Sequence, residues 1–201
     1  MRILFYGDSN TYGYDPRGPV TGRYDEEKTW PFIADVLLEN DEIFADGQNG
    51  RTIPKSDFDF EVLFNAIKRR EPLDMLGIML GSNDYINMFE PSPKEVISRM
   101  ENALDKISDG FPTLKLLLMA PPVLKTSNVC YMQKYDTTDK SLSKAYMELA
   151  EKKGIPFFDT AAEPLGISYD GVHLSEDGHR QLAHRIADHI NKIRDSQRLS
   201  P

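Results

Sequence analysis

Short apolar runs alternate along the chain with longer stretches in which apolar residues recur every three or four positions. A strand buried on both faces reads as a continuous apolar run, and an amphipathic helix shows the 3.6-residue period, so the alternation predicts βα units around a parallel sheet. The strand candidates are residues 2–6, 42–46, 74–80, 114–120 and 156–158. Between them, residues 28–40 carry Trp30, Ile33, Ala34, Leu37 and Leu38 at helical spacing, and residues 58–70 carry Val62, Leu63, Ala66 and Ile67. A third helix, 93–108, has the stripe Val96, Ile97, Met100, Leu104 and Ile107, with Ser92 and Glu95 at capping-box spacing before it. A fourth opens at Thr138 or Asp139 and stops at Gly154. The last opens at Ser175 and turns Leu182, Ala183, Ile186, Ile190 and Ile193 inward.

Five strands, each followed by a helix, predict one α/β domain over residues 1–201. Its expected form is a three-layer αβα sandwich around a doubly wound five-stranded parallel sheet, flavodoxin-like in the order 2-1-3-4-5. In such sheets ligands bind beyond the carboxyl ends of the strands, which gives every candidate motif a place to be tested.

Composition narrows the function. A hydrophobic fraction of 40% with ten Phe and nine Tyr is enough to fill a core, so the chain reads as globular. The net charge of -8 repels a phosphate backbone, and no basic run interleaves with aromatics, which argues against a nucleic-acid partner. The single cysteine, Cys130, allows no intrachain disulfide and suits a reducing compartment. The apolar run at 3–6 is too short for a signal peptide, and nothing approaches the roughly 20 apolar residues of a membrane span. The expectation is a cytoplasmic protein with no membrane partner.

Four segments fall at predicted strand ends. The first strand runs into Gly7-Asp8-Ser9-Asn10, where the glycine permits a sharp turn that sets the Ser9 hydroxyl at the edge of the sheet. After the second comes Gly47-Gln48-Asn49-Gly50-Arg51, in which Gly50 offers a backbone N–H. After the third comes Gly81-Ser82-Asn83-Asp84, in which the Asn83 amide can donate to a developing oxyanion. Beyond the fifth lies Asp170-Gly171-Val172-His173, whose spacing can put a carboxylate and an imidazole on one turn, the carboxylate fixing the tautomer while Nε2 faces outward. The first three alone read as ordinary turns, and the fourth is the most informative. Together they bring a nucleophile, oxyanion donors and an acid/base pair to one edge of one sheet.

The set Gly-Asp-Ser, Gly50, Gly-x-Asn-Asp and Asp-x-x-His resembles the four signature blocks of the SGNH (GDSL-type) hydrolases, in order, from Gly7 to His173. The flanking sequence is similar to the bacterial arylesterase and acyltransferase branch. The resemblance implies a serine esterase acting on small acyl esters, with Ser9 as nucleophile, His173 as general base and then acid, and Asp170 as its orienting carboxylate. It also implies an oxyanion hole of the Ser9 and Gly50 N–H groups and the Asn83 side chain, with no metal or cofactor. Asn10 stands where the better-known motif has Leu, and Tyr12 where the branch usually has Trp, so acyl and alcohol preference do not carry over. An acetyl-carbohydrate esterase, a lysophospholipase or a thioesterase would use the same residues.

Other chemistries fit less well. A P-loop requires a lysine that Gly7 to Gly13 lacks. His179, His184 and His189 follow His173 at spacings of six, five and five, which places them off one helical face and reads as surface or packing rather than metal ligation. A nucleophile elbow would need Gly-x-Ser-x-Gly in the chain's interior. A flavodoxin-like module that only binds a small molecule stays open. Two insertions, 12–29 and 124–137, follow strand ends and are expected to overhang the site. Asp8, Tyr12 and Tyr131 are the pocket candidates, and a neighbouring subunit in a homo-oligomer is an equally open source of cover.

Overall fold

The computed structural model describes residues 1–18 and 22–198. Residues 19–21 of the expected 12–29 overhang, and the last three of the chain, lie outside the described residues. Strands β1 (Arg2–Gly7), β2 (Glu42–Gly47), β3 (Met75–Met79), β4 (Lys115–Met119) and β5 (Phe157–Phe158) form one sheet, all parallel, in the order β2-β1-β3-β4-β5. This is the flavodoxin-like order that the apolar runs predict. The helices are α1 (Ser9–Tyr12), α2 (Trp30–Leu37), α3 (Asp57–Lys68), α4 (Ser82–Ile86), α5 (Pro93–Gly110), α6 (Ser141–Lys153) and α7 (Glu176–Arg198).

Side chains alternate across a strand, and β1 shows what that does here. Leu4 and Tyr6 enter a core shared with Leu63 of α3, Met100 of α5 and Tyr146 of α6. Ile3 and Phe5 enter the opposite core, with Trp30 of α2 and Leu182 and Ile186 of α7. The sheet is thus sandwiched between α3, α5 and α6 on one face and α2 and α7 on the other. Each fully buried large apolar side chain stabilises this arrangement by about 1.5–3 kcal/mol relative to exposure, so the two cores hold the strands' carboxyl ends in a fixed frame.

Register matters most for function. Gly7 pairs with Gly47 on one side and Met79 on the other, so β1, β2 and β3 end level with one another. The segments that follow each of them therefore emerge at one height on one edge.

The local differences from expectation have physical reasons. The helix expected over 28–40 spans only Trp30–Leu37; Trp30, Ala34 and Leu38 are buried, but Leu37 is exposed because α2 covers the sheet's margin. Val62 likewise faces out while Leu63, Ala66 and Ile67 face in. At Ser92 only half of the expected capping box forms: its Oγ accepts from the Glu95 N–H at 3.4 Å, while the Glu95 carboxylate turns to Arg99. A full box forms instead at Ser56, which accepts from the Asp59 N–H as Asp59 accepts from the Ser56 N–H. The one-turn helices α1 and α4 are additions to the expected set, being too short to show a period. The fourth expected helix does end at Gly154, in the left-handed conformation with φ 64°.

Candidate active site

Ser9 is the first residue of α1, at the end of β1. Asp8 caps that turn, its Oδ1 accepting from the Asn10 N–H at 2.9 Å, a local bond that folds the sequence Gly-Asp-Ser-Asn back on itself. The Ser9 side chain is nearly buried, and its Oγ lies 3.0 Å from His173 Nε2. The other ring nitrogen, Nδ1, lies 2.5 Å from Asp170 Oδ2. A serine 164 residues away in sequence is thereby joined to the Asp-x-x-His turn in one hydrogen-bonded chain.

The turn is built around Asp170. Its Oδ1 accepts from the Val172 and His173 N–H groups at 3.0 and 3.1 Å, leaving Oδ2 for the ring. Burial raises the Asp170 pKa, but the hydrogen bonds from the His173 ring and from the two backbone N–H groups outweigh it, and the carboxyl is held below its ordinary value. It is therefore an anion at neutral pH, able to support an imidazolium. Gly171 adopts φ 74°, and a Cβ there would run into the Lys125 carbonyl, so the turn needs glycine at this point.

Asp8 has the opposite balance. It is completely buried, and burial pushes its carboxyl from 3.8 up to about 6, against the Asn10 N–H and the charges of His173 and Arg51. It sits under the site as a cap rather than opening to solvent.

The second and third segments meet each other, and the second is bonded to the end of β1 at Gly7. Gly50 is exposed at φ 73°, with open space where a Cβ would stand. Asn83, in α4, donates from Nδ2 to the Arg51 carbonyl at 3.0 Å, a bond that uses one of its two amide hydrogens and fixes the amide next to the Gly50 turn. Two residues outside the expected set hold these pieces. Asp84 has a side chain with no solvent exposure; it accepts from the Ile53 N–H at 2.8 Å and pairs with Arg99 of α5 at 3.1 Å, so the segments after β2 and β3 are locked together. Arg51 donates to the Gly7 carbonyl at 2.8 Å and to Asp46, and its guanidinium lies 3.9 Å from the centre of the Tyr6 ring. It clamps the ends of β1 and β2. A cleft of about 230 Å³ shares Gly50 with the site and is lined by Gln48, Thr52, Phe58 and Val62.

Of the pocket candidates, Tyr12 lies at the end of α1 under the Arg23 guanidinium, 4.7 Å from its ring centre. Tyr131 is 80% exposed on a 3-10 turn, Cys130–Tyr135. That turn is fastened to the segment after α4 rather than to His173: Lys134 donates to the Phe89 carbonyl and Tyr135 to the Met88 carbonyl. The aromatic residue that does meet His173 is Tyr14, whose ring centre is 4.6 Å from the imidazole. Tyr14 belongs to the first overhang, and Tyr169 ties that overhang to the Asp-x-x-His turn by donating to the Pro16 carbonyl at 2.7 Å.

The remaining histidines lie away from this chain of bonds. His179 is buried, with Nδ1 accepting from the Trp30 N–H at 3.2 Å, and burial brings its pKa down to about 4. His189 packs its ring on Phe158, and His184 is exposed. Among the described residues no helix is long and apolar enough to cross a membrane.

A doubly wound sheet whose β1, β3 and C-terminal loop converge in this way defines an α/β hydrolytic scaffold of the SGNH type. The chain belongs to the GDSL-like lipase/acylhydrolase family, which matches it over residues 5–181. It is similar to a GDSL lipase of Mycobacterium tuberculosis, 26% identical, with 94% of this chain and 81% of that protein aligned. Among solved structures it resembles Est24, a carbohydrate acetylesterase from Sinorhizobium meliloti, with TM-score 0.82 and 27% identity over 96% of this chain and 99% of that one. It also resembles the inhibitor-bound aryl esterase of M. smegmatis, with TM-score 0.81 and 25% identity over 95% and 98%.

Proposed function

We propose that the chain is a serine esterase that releases or transfers small acyl groups from carboxylic esters through an acyl-enzyme on Ser9. The observation that carries the reading is the unbroken chain Ser9 Oγ, His173 Nε2, His173 Nδ1, Asp170 Oδ2, with separations of 3.0 and 2.5 Å. With Nδ1–H donated to an ionised Asp170, Nε2 carries the lone pair and faces the Ser9 hydroxyl.

In the forward step His173 takes the Ser9 proton as Oγ attacks the ester carbonyl, and the carbonyl electrons move onto oxygen. The Ser9 and Gly50 N–H groups and the second Asn83 amide hydrogen would receive that oxyanion. Collapse breaks the bond to the alcohol, which leaves with the proton from His173. Water, or a second alcohol, then attacks the acyl-enzyme with His173 again as base, and Ser9 is regenerated. Asp170 stays ionised throughout and favours the imidazolium.

The resemblance to an acetylesterase and an aryl esterase supports a small acyl group. The test is Ser9→Ala. Hydrolysis of nitrophenyl acetate and covalent labelling by a fluorophosphonate should both disappear while the circular dichroism spectrum is kept. Turnover at the level of the unaltered protein would overturn the assignment. A protein that merely binds a small molecule would resist the label before any substitution.

A further inference from the structure

The loop that carries His173 is closed by its own bonds. The Val172 and His173 N–H groups go to Asp170, and the His173 carbonyl accepts from the Ser168 N–H at 2.7 Å. Those bonds shape the loop but do not tie it to Ser9. The Lys125 N–H donates to the Gly171 carbonyl at 2.8 Å and Tyr169 to the Pro16 carbonyl, which anchors the loop, and the tie next to Ser9 comes from Asn10. Its Nδ2 donates to the Val172 carbonyl at 3.3 Å and its Oδ1 accepts from the Leu174 N–H at 2.8 Å, so one amide grips the backbone on both sides of the histidine. Asn10 is 1% exposed, and its own carbonyl accepts from Trp30 Nε1 at 3.0 Å, which fixes α1 to the core. The Tyr24 hydroxyl adds a longer contact to the Leu174 carbonyl, at 3.4 Å.

We infer that Asn10 is a positioning residue that sets the distance and angle between Ser9 Oγ and His173 Nε2, an inference that rests on the serine esterase reading. Only a group with one donor and one acceptor on the same planar head matches a carbonyl and an N–H two residues apart. Leu has the volume but neither bond. Asp has the shape, and when protonated it can make both; once ionised it sets a carboxylate oxygen against the Val172 carbonyl. Because Asn10 touches no reacting atom, its loss should act on the chemical step and leave substrate affinity alone.

The experiment compares Asn10→Leu, Asn10→Asp and Ser9→Ala with the unaltered full chain on nitrophenyl acetate, together with the rate of fluorophosphonate labelling. A misplacement of about 1 Å costs up to roughly 100-fold, so Asn10→Leu should lower kcat and the labelling rate by about 10- to 100-fold with KM unchanged. For Asn10→Asp, kcat relative to the unaltered protein should fall as pH rises from about 5 to about 8, the range over which a buried carboxyl ionises. Unchanged kcat and labelling in a folded Asn10→Leu protein overturn the inference. Where Asn10→Leu does not fold, the Asp variant decides, and a ratio that stays flat with pH overturns it. If Ser9→Ala itself keeps activity, the esterase reading on Ser9 has failed instead, and the two failures are thereby distinguished.

Discussion

The two sides of the site are held by different means. On the acid–base side, the residues that position the chemistry are themselves in the motifs: Asp170 shapes its own turn, and Asn10, next to Ser9, grips the backbone around His173. On the side of the proposed oxyanion donors, Gly50 and Asn83 depend on others. Arg51 ties β1 to β2, and Asp84 reaches Ile53 with Arg99 of α5 behind it. The first side is a hydrogen-bonded circuit built mainly from two short stretches of chain, with Trp30 and Lys125 bonded to its ends. The second is a frame that borrows a helix from the far layer of one core. The difference teaches that the Ser9–His173–Asp170 chain is held largely by residues in or next to its motifs, whereas the placement of the proposed oxyanion donors depends on packing between the segments after β2 and β3 and α5.

Substitutions can break this comparison side by side. The larger effect is expected from Asp170→Asn. The Asn oxygen can still accept from Val172 and His173 N–H, so the turn persists, but the amide now faces Nδ1 and makes it an acceptor. The proton moves to Nε2, which can no longer take one from Ser9, and kcat should fall roughly 10,000-fold with stability little changed. Steady-state kinetics with a thermal unfolding control would show it. On the other side, Asn83→Ala removes one of the three proposed donors and should cost about 100- to 1000-fold in kcat. A loss under about tenfold would mean that the Asn83 amide serves only its bond to the Arg51 carbonyl, and the two sides would not share one reaction.

The same contrast explains which features are legible in the sequence alone. Parallel strands buried on both faces are continuous apolar runs, so 2–6, 74–80 and 114–120 stand out, and the order follows from βα repetition. Ser9, Asp170 and His173 are legible because their partners sit within a few residues of one another in two motifs. Arg99 is not: a charged residue on an amphipathic helix reads as a solvated face until its partner, Asp84, is seen buried across the core. Tyr14 sits in a loop whose path no periodicity fixes, and only the structure brings its ring to His173. Asn10 is visible as a departure from the familiar motif, but its bonds span 162 and 164 residues, a separation that pattern cannot bridge.

Asp8 links the two sides, since its carboxylate feels His173 from one and Arg51 from the other, and it yields the smallest and most specific prediction. Its folded pKa is about 6 against an ordinary 3.8, so the folded protein holds the proton more tightly than the unfolded chain does. For an acid raised in this way, stability is greatest below the unfolded value. It declines as pH rises from about 4 to about 6, and the loss is complete above that window. A difference of this size between the folded and unfolded pKa corresponds to at most about 3 kcal/mol. Asp8→Asn removes the ionisation while its side-chain oxygen can still accept from the Asn10 N–H and cap α1. Urea unfolding should therefore find the variant equal to the unaltered protein near about pH 4 and more stable by up to about 3 kcal/mol at about pH 7. A stability difference that does not change with pH would mean that the charges of His173 and Arg51 fully support the buried carboxylate. The two sides would then be coupled through Asp8 more strongly than their separate hydrogen bonds indicate.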